Sequence, residues 1–594
     1  MNLSITYNDY EFMGAHLVSE HGNTGVRFSV WAPHAASVRI VGHFNNWHGH
    51  NHTMHKKNVT GIWSIFVQGL HVNSVYMYEI ITQTNKQLHK IDPYAFYMGI
   101  SPDFTCKVTD LSQFEWLDNE WQKSKSWMDK WNRPISIYEV HPGSWRRHSD
   151  GKYFSYIELA HSLVGYVKEM GFTHIQLMPV MEHPFDGSWG YQCTGYFAAN
   201  SRFGHPIDLM YFIDYCHQHN IGVILDWVPG HFSRDRHGIA WFDGEKCYEL
   251  NSTKRGSANK WGANDFDLQK SEVQRFLISS ALFWIDKFHA DGLRVDAVSE
   301  MVHNNGFHFL KKLNTVVNEK FPGTLMIAED SSGRREVTEN SEKGLGFTYR
   351  WNMWWAHDIL NYMKHKPSER KHHHKRLMCT LEYAHIGNFI LSLSHDETAF
   401  SRGSLLEKMP GNATDRLSNL KLLIAWQMVH PGKKLIFMGI ESAQSKSWNQ
   451  SMGIDWNRLK LKKIKYFQSM VKYLNDLYSA EPALNQLDRG GDGTVIQSTH
   501  AESATVVFRR IGRNSSKCIL VAANFSDESI KDFFAGVSEP GNYKLIFSTD
   551  GKKFGGNTLL YQTFPAEQCH WQEQPFRIKF DLPKLTLMMI QKCK

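Results

Sequence analysis

No run in the sequence approaches the ~18 consecutive apolar residues of a membrane span, so a membrane-spanning helix is excluded. Cysteine is scarce: eight in 594 residues, at 106, 193, 216, 247, 379, 518, 569 and 593, with no C-x-x-C pair and no framework spacing. That scatter excludes a disulfide scaffold and fits a reducing compartment. Charge of one sign is also lacking, because 66 Lys plus Arg stand against 59 Asp plus Glu and the excess of +7 forms no basic stripe. Nucleic acid is therefore not an expected partner. Met1 to Tyr10 shows no basic start followed by an apolar run, and the expected location is the cytoplasm. Metal-ligand spacing is absent too. His372-His373-His374 is the one conspicuous histidine run. Three consecutive residues point in different directions on a helix, and the expected reading is a solvated face without a bound metal.

What the chain has in quantity is aromatic side chains, 20 Trp, 23 Tyr and 36 Phe. Such rings fill large cores and also stack on the apolar faces of sugars. The length exceeds one hydrophobic core, so several domains are expected. From Val26 to about Leu111 the pattern is short, alternating and turn-rich, as in Val26–Trp31, Ser37–Gly42 and Gly61–Phe66, which predicts a β-sandwich over 1–114. Trp- and Lys-rich helical spacing from Glu115 to Trp131 predicts a linker helix within 115–133.

Beyond Pro134 apolar strand-like runs alternate with amphipathic helices. The runs are 135–140, 174–178, 222–226, 292–296, 325–329, 388–393 and 434–438, with an eighth near 347–350. Eight such units predict a (β/α)8 barrel over 134–485. Between two of them Val273, Phe276, Leu277, Ala281, Trp284 and Phe288 share one helical stripe, with Ser271 as the expected cap. Alternation returns near Val495, so a second β-sandwich is expected over 486–594.

The acids are placed tellingly. Asp226, Asp296 and Glu329 end three of these runs, and Asp396 follows Leu391-Ser392-Leu393-Ser394-His395. One acid after a strand is ordinarily a helix cap. Four, accompanied by Arg294 and His395, are hard to explain that way, and in a (β/α)8 barrel such positions converge on the C-terminal face where active sites are built. Retaining cleavage of a glycosidic bond needs a proton donor and a capturing carboxylate about 5–5.5 Å apart, a spacing that neighbouring strand ends supply. Arg294 and Asp296 share a strand face, and the cation is expected to keep Asp296 ionised and nucleophilic. Glu329, facing other acids, is expected to retain its proton.

At these residues the sequence resembles the α-amylase superfamily, whose four strand-end motifs stand here as Asp226-Trp227-Val228-Pro229-Gly230-His231, Gly292-Leu293-Arg294-Val295-Asp296-Ala297, Ala328-Glu329-Asp330 and Ser394-His395-Asp396-Glu397. The likeness narrows to glycogen branching enzymes through Glu182 to Gln192, Gly346 to Met353 and Pro431 to Gly439. The front domain resembles a glycogen-associated carbohydrate-binding module through Trp31-Ala32-Pro33, Gly42 to Trp47 and Asp92-Pro93-Tyr94. The resemblance implies a nucleophile at Asp296, a general acid/base at Glu329 and a third, sugar-distorting carboxylate at Asp396. It also implies substrate contacts from Tyr191, Asp226, His231, Arg294 and His395, no cofactor, and an α-1,4-glucan partner such as glycogen or amylose. The implied activity is cleavage of α-1,4 bonds and formation of α-1,6 branches.

Departures gather at the rim. Ser299 to His303 passes quickly to Asn304-Asn305-Gly306, so an acceptor-side loop is expected to be short, and Thr398-Ala399-Phe400-Ser401-Arg402 replaces the family's usual stretch after Glu397. The alternatives are a glucan hydrolase of the same superfamily and a glucan-binding scaffold without turnover. The sequence leaves the oligomeric state open, with a monomer as the expectation.

Overall fold

A computed structural model gives the fold; it describes residues 6–57, 60–100, 102–127, 129–250, 259–399, 402–488, 493–513 and 518–593. Phe400 and Ser401 of the altered rim stretch lie outside the described residues.

The centre is a closed barrel of eight parallel strands. They are β1 (Ser136–Val140), β2 (His174–Leu177), β3 (Gly222–Trp227), β4 (Gly292–Val295), β5 (Leu325–Ala328), β6 (Tyr349–Trp351), β7 (Phe389–Leu393) and β8 (Lys433–Phe437). Strand neighbours follow chain order and β8 closes on β1. Every residue of these strands is buried. Helices outside and side chains inside cover both faces of a parallel sheet, which is why the strands read as continuous apolar runs. Ile137, Ile224, Leu325, Ile327, Tyr349, Ile390 and Leu435 form an inner core of their own.

Two antiparallel sheets precede the barrel. Gly14–Glu20, Asn23–Trp31, Ile62–Gln68 and His55–Lys57 make one; Ser37–Gly42, Val75–Ile81, Gln87–Lys90 and Cys106–Lys107 make the other. This module is welded to the barrel by aromatic packing, Tyr94 on Phe197 at 4.6 Å and Phe96 on Phe283 at 5.0 Å between ring centres. Behind the barrel, a six-stranded sheet including Thr505–Ile511, Cys518–Asn524 and Thr586–Lys592 faces a three-stranded one built around Gln574–Leu582. Val507, Leu545, Ile578 and Met588 pack between them.

Three local expectations are corrected. The linker helix runs only over Asn119–Trp127, and beyond it the Asp129 carboxylate accepts the backbone N–H groups of Trp131 (2.9 Å) and Asn132 (3.3 Å), a turn that competes with helix. The helix expected to be capped by Ser271 begins at Ser271 itself, with Lys270 at the N-cap; the Ser271 hydroxyl instead donates to Glu272 at 2.9 Å. In the histidine run His374 is buried, its Nε2 2.6 Å from the Thr499 hydroxyl, so the run is not a uniformly solvated face.

Candidate active site

The site is built by register. Asp226 of β3 lies opposite Arg294 of β4, and the ladder continues one residue past β4 and β5, with Asp296 N–H donating to the Trp227 carbonyl (3.0 Å) and Glu329 N–H to that of Val295 (2.9 Å). Asp296 and Glu329 are therefore held by strand geometry at the C-terminal mouth.

Arg294 is the hub. Its Nη1 lies 2.8 Å from Asp226 Oδ1 and 2.8 Å from Asp296 Oδ1, and its Nη2 lies 3.1 Å from Glu329 Oε2. The guanidinium lies over two rings, 4.4 Å from the Trp351 centre and 5.7 Å from that of Tyr191. A planar fork with several donors suits this triple contact, where an ammonium would not. Glu329 Oε2 also accepts the Ala297 N–H at 2.8 Å. Ala297 achieves this in a left-handed conformation (φ +52°), which is unfavourable without glycine and marks a site whose backbone is held by its surroundings.

Tyr191 enters from the loop after β2. Trp189 (φ +57°) and Gly190 (φ +95°) turn the chain there, and a Cβ on Gly190 would stand 2.5 Å from the Pro179 carbonyl oxygen. The Tyr191 hydroxyl donates to Asp226 Oδ2 at 2.7 Å and lies 3.2 Å from His395 Nε2, with the two rings stacked 5.7 Å apart. His231 faces Asp296 at a longer 4.0 Å and stacks on Trp261. Asp396 stands at the end of β7 beside His395, partly exposed and 4.0 Å from Arg402. Among the described residues it makes no ion pair with Arg294, so the fold brings Asp226, Arg294, Asp296, Glu329, Tyr191 and His395 into one network and leaves Asp396 at its edge.

Two participants escaped the sequence reading. Glu139, fully buried in β1, lies 2.8 Å from His395 Nδ1 and accepts the His395 backbone N–H at 2.9 Å. Burial opposes a charge on His395, but the Glu139 carboxylate and then Asp396 raise its pKa to about 9. Trp351 provides the ring under Arg294. An acid inside an apolar strand is the signal that could have found Glu139, since a buried carboxylate requires a partner.

The protonation expectation is also corrected. Burial, and after it the charge of Glu329, push Asp296 well above the ordinary carboxylate range, against the pull of Arg294. Asp226 is likewise raised by burial, to about 6. One guanidinium cannot neutralise three carboxylates, so a proton is shared within this coupled cluster.

Beside the acids opens a polar cavity of about 470 Å³ lined by His231, Trp261, Asp265, Ala297, Glu300 and Asn304. A second cavity of about 250 Å³, lined by Leu405, Met438, Trp448 and Met452, holds none of the acids.

The chain is 44% identical to the 1,4-alpha-glucan branching enzyme GlgB of Halothermothrix orenii, over 98% of this chain and 96% of that protein. It is 40% identical to the protein of the same name from Bacillus subtilis, over 99% of this chain and 96% of the relative. The chain belongs to the GlgB branching-enzyme family. Carbohydrate-binding module 48 (isoamylase N-terminal domain) matches residues 12–95, the alpha amylase catalytic domain 159–255, and the alpha amylase C-terminal all-beta domain 495–592. Solved pullulanases share the fold at low identity. The Anoxybacillus sp. LM18-11 enzyme complexed with maltotetraose superposes with a TM-score of 0.75 at 17% identity, over 99% of this chain and 89% of that one. The Bacillus acidopullulyticus pullulanase gives 0.72 at 19% identity, over 98% and 75%.

Proposed function

We infer that this chain is a 1,4-α-glucan branching enzyme, working through Asp296 as nucleophile and Glu329 as general acid/base. The observation that carries the reading is the pair of carboxyl groups bridged by Arg294 at the mouth of the barrel, in a chain similar over nearly its whole length to branching enzymes. Asp296 attacks the anomeric carbon of an α-1,4-glucan while Glu329 protonates the departing 4-oxygen, so the donor's reducing-end segment leaves and the rest stays as a glycosyl ester. Glu329, now ionised, takes the proton from the 6-hydroxyl of an acceptor chain as that oxygen attacks the same carbon. The ester breaks, Asp296 is regenerated, and inversion twice over gives an α-1,6 bond.

For the first step the shared proton must sit on Glu329 and Asp296 must be ionised. Glu329 is the more exposed of the two, with 18% of its side chain accessible against 10% for Asp296, and the arriving glycosidic oxygen gives its proton an acceptor. Tyr191 and His395 supply a ring platform and donors for the sugar bound next to the acids, and Asp396 reaches its hydroxyls from the edge. The cavity beside Ala297 and Glu300 is where an acceptor chain would approach. The acids and their partners need no cofactor for this chemistry. The substrate is α-1,4-glucan, the working form a monomer, and the location the cytoplasm, in keeping with cysteines that are unpaired among the described residues and with the absence there of any helix long and apolar enough to cross a membrane.

The deciding experiment is incubation with amylose followed by proton NMR and enzymatic debranching. New α-1,6 linkages are expected, with little gain in reducing ends. Reducing ends without branches would establish the hydrolase instead, and binding without either would leave only the scaffold.

A further inference from the structure

The sequence shows no metal-ligand spacing, but the fold gathers a ligand set that shares no residue with the acid network, where the front module meets the barrel. His34 comes from the module, and Asp243 and Cys247 come from the segment after β3; the three donor atoms lie within 4.8 Å of one another. His34 Nδ1 is 3.2 Å from Asp243 Oδ2 and 3.8 Å from Cys247 Sγ. Around tetrahedral zinc, with metal–ligand distances of about 2.0–2.3 Å, neighbouring N and O donors stand ~3.3 Å apart and N and S donors ~3.5 Å. The His34–Asp243 edge of 3.2 Å fits that geometry, and the His34–Cys247 edge of 3.8 Å would shorten slightly on binding.

A hydrolytic Cys-His-Asp triad is ruled out by the ring. Such a relay engages the thiol through one imidazole nitrogen and the acid through the other, whereas here Nδ1 alone faces both partners. Cys247 is also fully buried, whereas a reactive thiol is partly accessible.

We propose that His34 Nδ1, the Asp243 carboxylate and Cys247 Sγ bind a zinc-type divalent cation that clips the front module to the barrel. The mixed N, O and S donor set selects zinc over calcium or magnesium. Binding displaces the thiol proton to solvent, and the thiolate–metal bond replaces it. Outer contacts already orient the ligands: Asp243 accepts the His34 backbone N–H at 2.7 Å and that of Glu245 at 3.3 Å, and the Cys247 carbonyl accepts Lys270 Nζ at 3.1 Å. A cavity of about 320 Å³ bordered by His34, Asp243 and Glu245 leaves room for water as the fourth ligand. His34, half of whose side chain is exposed, is the entry side. The interface is tight elsewhere: Lys90 Nζ reaches the Arg236 and Ala240 carbonyls at 2.5 and 2.7 Å, and a Cβ on Gly244 would stand 2.6 Å from Thr82 Cγ2. A cation here would add to a contact already formed.

The test uses the full chain, stripped with chelator and titrated with Co²⁺ alone, then with Zn²⁺ alone. One equivalent of Co²⁺ is expected to give a near-ultraviolet thiolate-to-cobalt band with the intense visible absorption of a tetrahedral site. Zn²⁺ should bleach both and raise the melting temperature. Cys247→Ser should abolish the ultraviolet band, and His34→Asn, a change at a half-exposed residue that spares the buried thiol, should weaken Co²⁺ binding at least about tenfold. Branching activity should stay within about twofold in both variants without metal. A titration with no thiolate band, a band that persists in Cys247→Ser, or a His34→Asn protein that binds as tightly as the parent would each overturn the proposal.

Discussion

Replacing Glu139 by glutamine tests how a residue behind the proposed sugar platform sets the charge of His395 within it. The wild-type carboxylate accepts twice from His395, from Nδ1 at 2.8 Å and from the backbone N–H at 2.9 Å. An amide has one accepting oxygen, so one buried donor is left unpaired at a cost of about 1–3 kcal/mol. The larger effect is on charge. Burial alone would lower the His395 pKa, yet with Glu139 and Asp396 beside it the imidazole titrates at about 9. Relative to the usual ~6.5, that is ~3 kcal/mol of preference for the cation at about 1.4 kcal/mol per unit. As a cation His395 donates through Nε2 to Tyr191, whose hydroxyl in turn donates to Asp226. With the carboxylate gone, the imidazole is expected to be neutral at pH 7 and the chain of donors to lose its first member. Glu139→Gln should lower kcat/KM on amylose about 10- to 100-fold at pH 7, an effect of ~1.4–3 kcal/mol. The raised pKa fixes the sign of the pH dependence: the protonated form persists in the wild type until pH approaches 9, whereas in the variant it returns only as pH falls below the ordinary histidine range. The variant's deficit should therefore shrink on acidification, measured as kcat/KM from pH 5 to 9 by loss of iodine-stained amylose. A uniform deficit across that range, or none, would refute the electrostatic role.

Glu329→Gln should cut branching by about 10²–10⁴-fold, the usual contribution of a general acid, yet retain most of its glycosylation rate with a maltosyl fluoride donor, whose leaving group needs no proton; equal losses on both donors would contradict the assignment. Asp296→Asn should abolish turnover while raising the thermal midpoint at pH 7. The Asp296 pKa is raised in the folded state, so its contribution to stability is present in full below the unfolded value and is lost as pH rises through the folded one. The advantage of the variant should accordingly vanish near pH 4, as followed by scanning calorimetry. Trp261→Ala, which opens the wall of the cavity beside His231, should raise released reducing ends relative to new α-1,6 linkages; an unchanged ratio would move the acceptor path elsewhere.

The barrel was legible in the sequence because its strands are buried on both faces, so that Ile224-Leu225 or Met326-Ile327-Ala328 leave little but a parallel-sheet reading. The acids were legible because chain order alone puts Asp296 and Glu329 one residue past neighbouring strands. What stayed hidden depends on the third dimension. Glu139 looks like a single polar interruption between Tyr138 and Val140, and its partner lies 256 residues away. Ser271 carries the right chemistry for a cap but falls one residue inside the helix. Which carboxyl holds the proton turns on how one guanidinium is divided among three acids, a quantity no spacing encodes. His34 and Asp243 are 209 residues apart, and only the docking of the front module on the barrel reveals them as neighbours.

The central claim is that Asp296 forms the covalent bond to sugar. Its most direct test is to trap the ester with a 5-fluoro-α-maltosyl fluoride donor, digest the protein and sequence the labelled peptide by mass spectrometry. The account predicts a single glycosyl adduct on the peptide containing Gly292-Leu293-Arg294-Val295-Asp296, located at Asp296 and absent from Asp296→Asn. An adduct on Glu329 or Asp396, or rapid turnover with no adduct and inverted product, would contradict it.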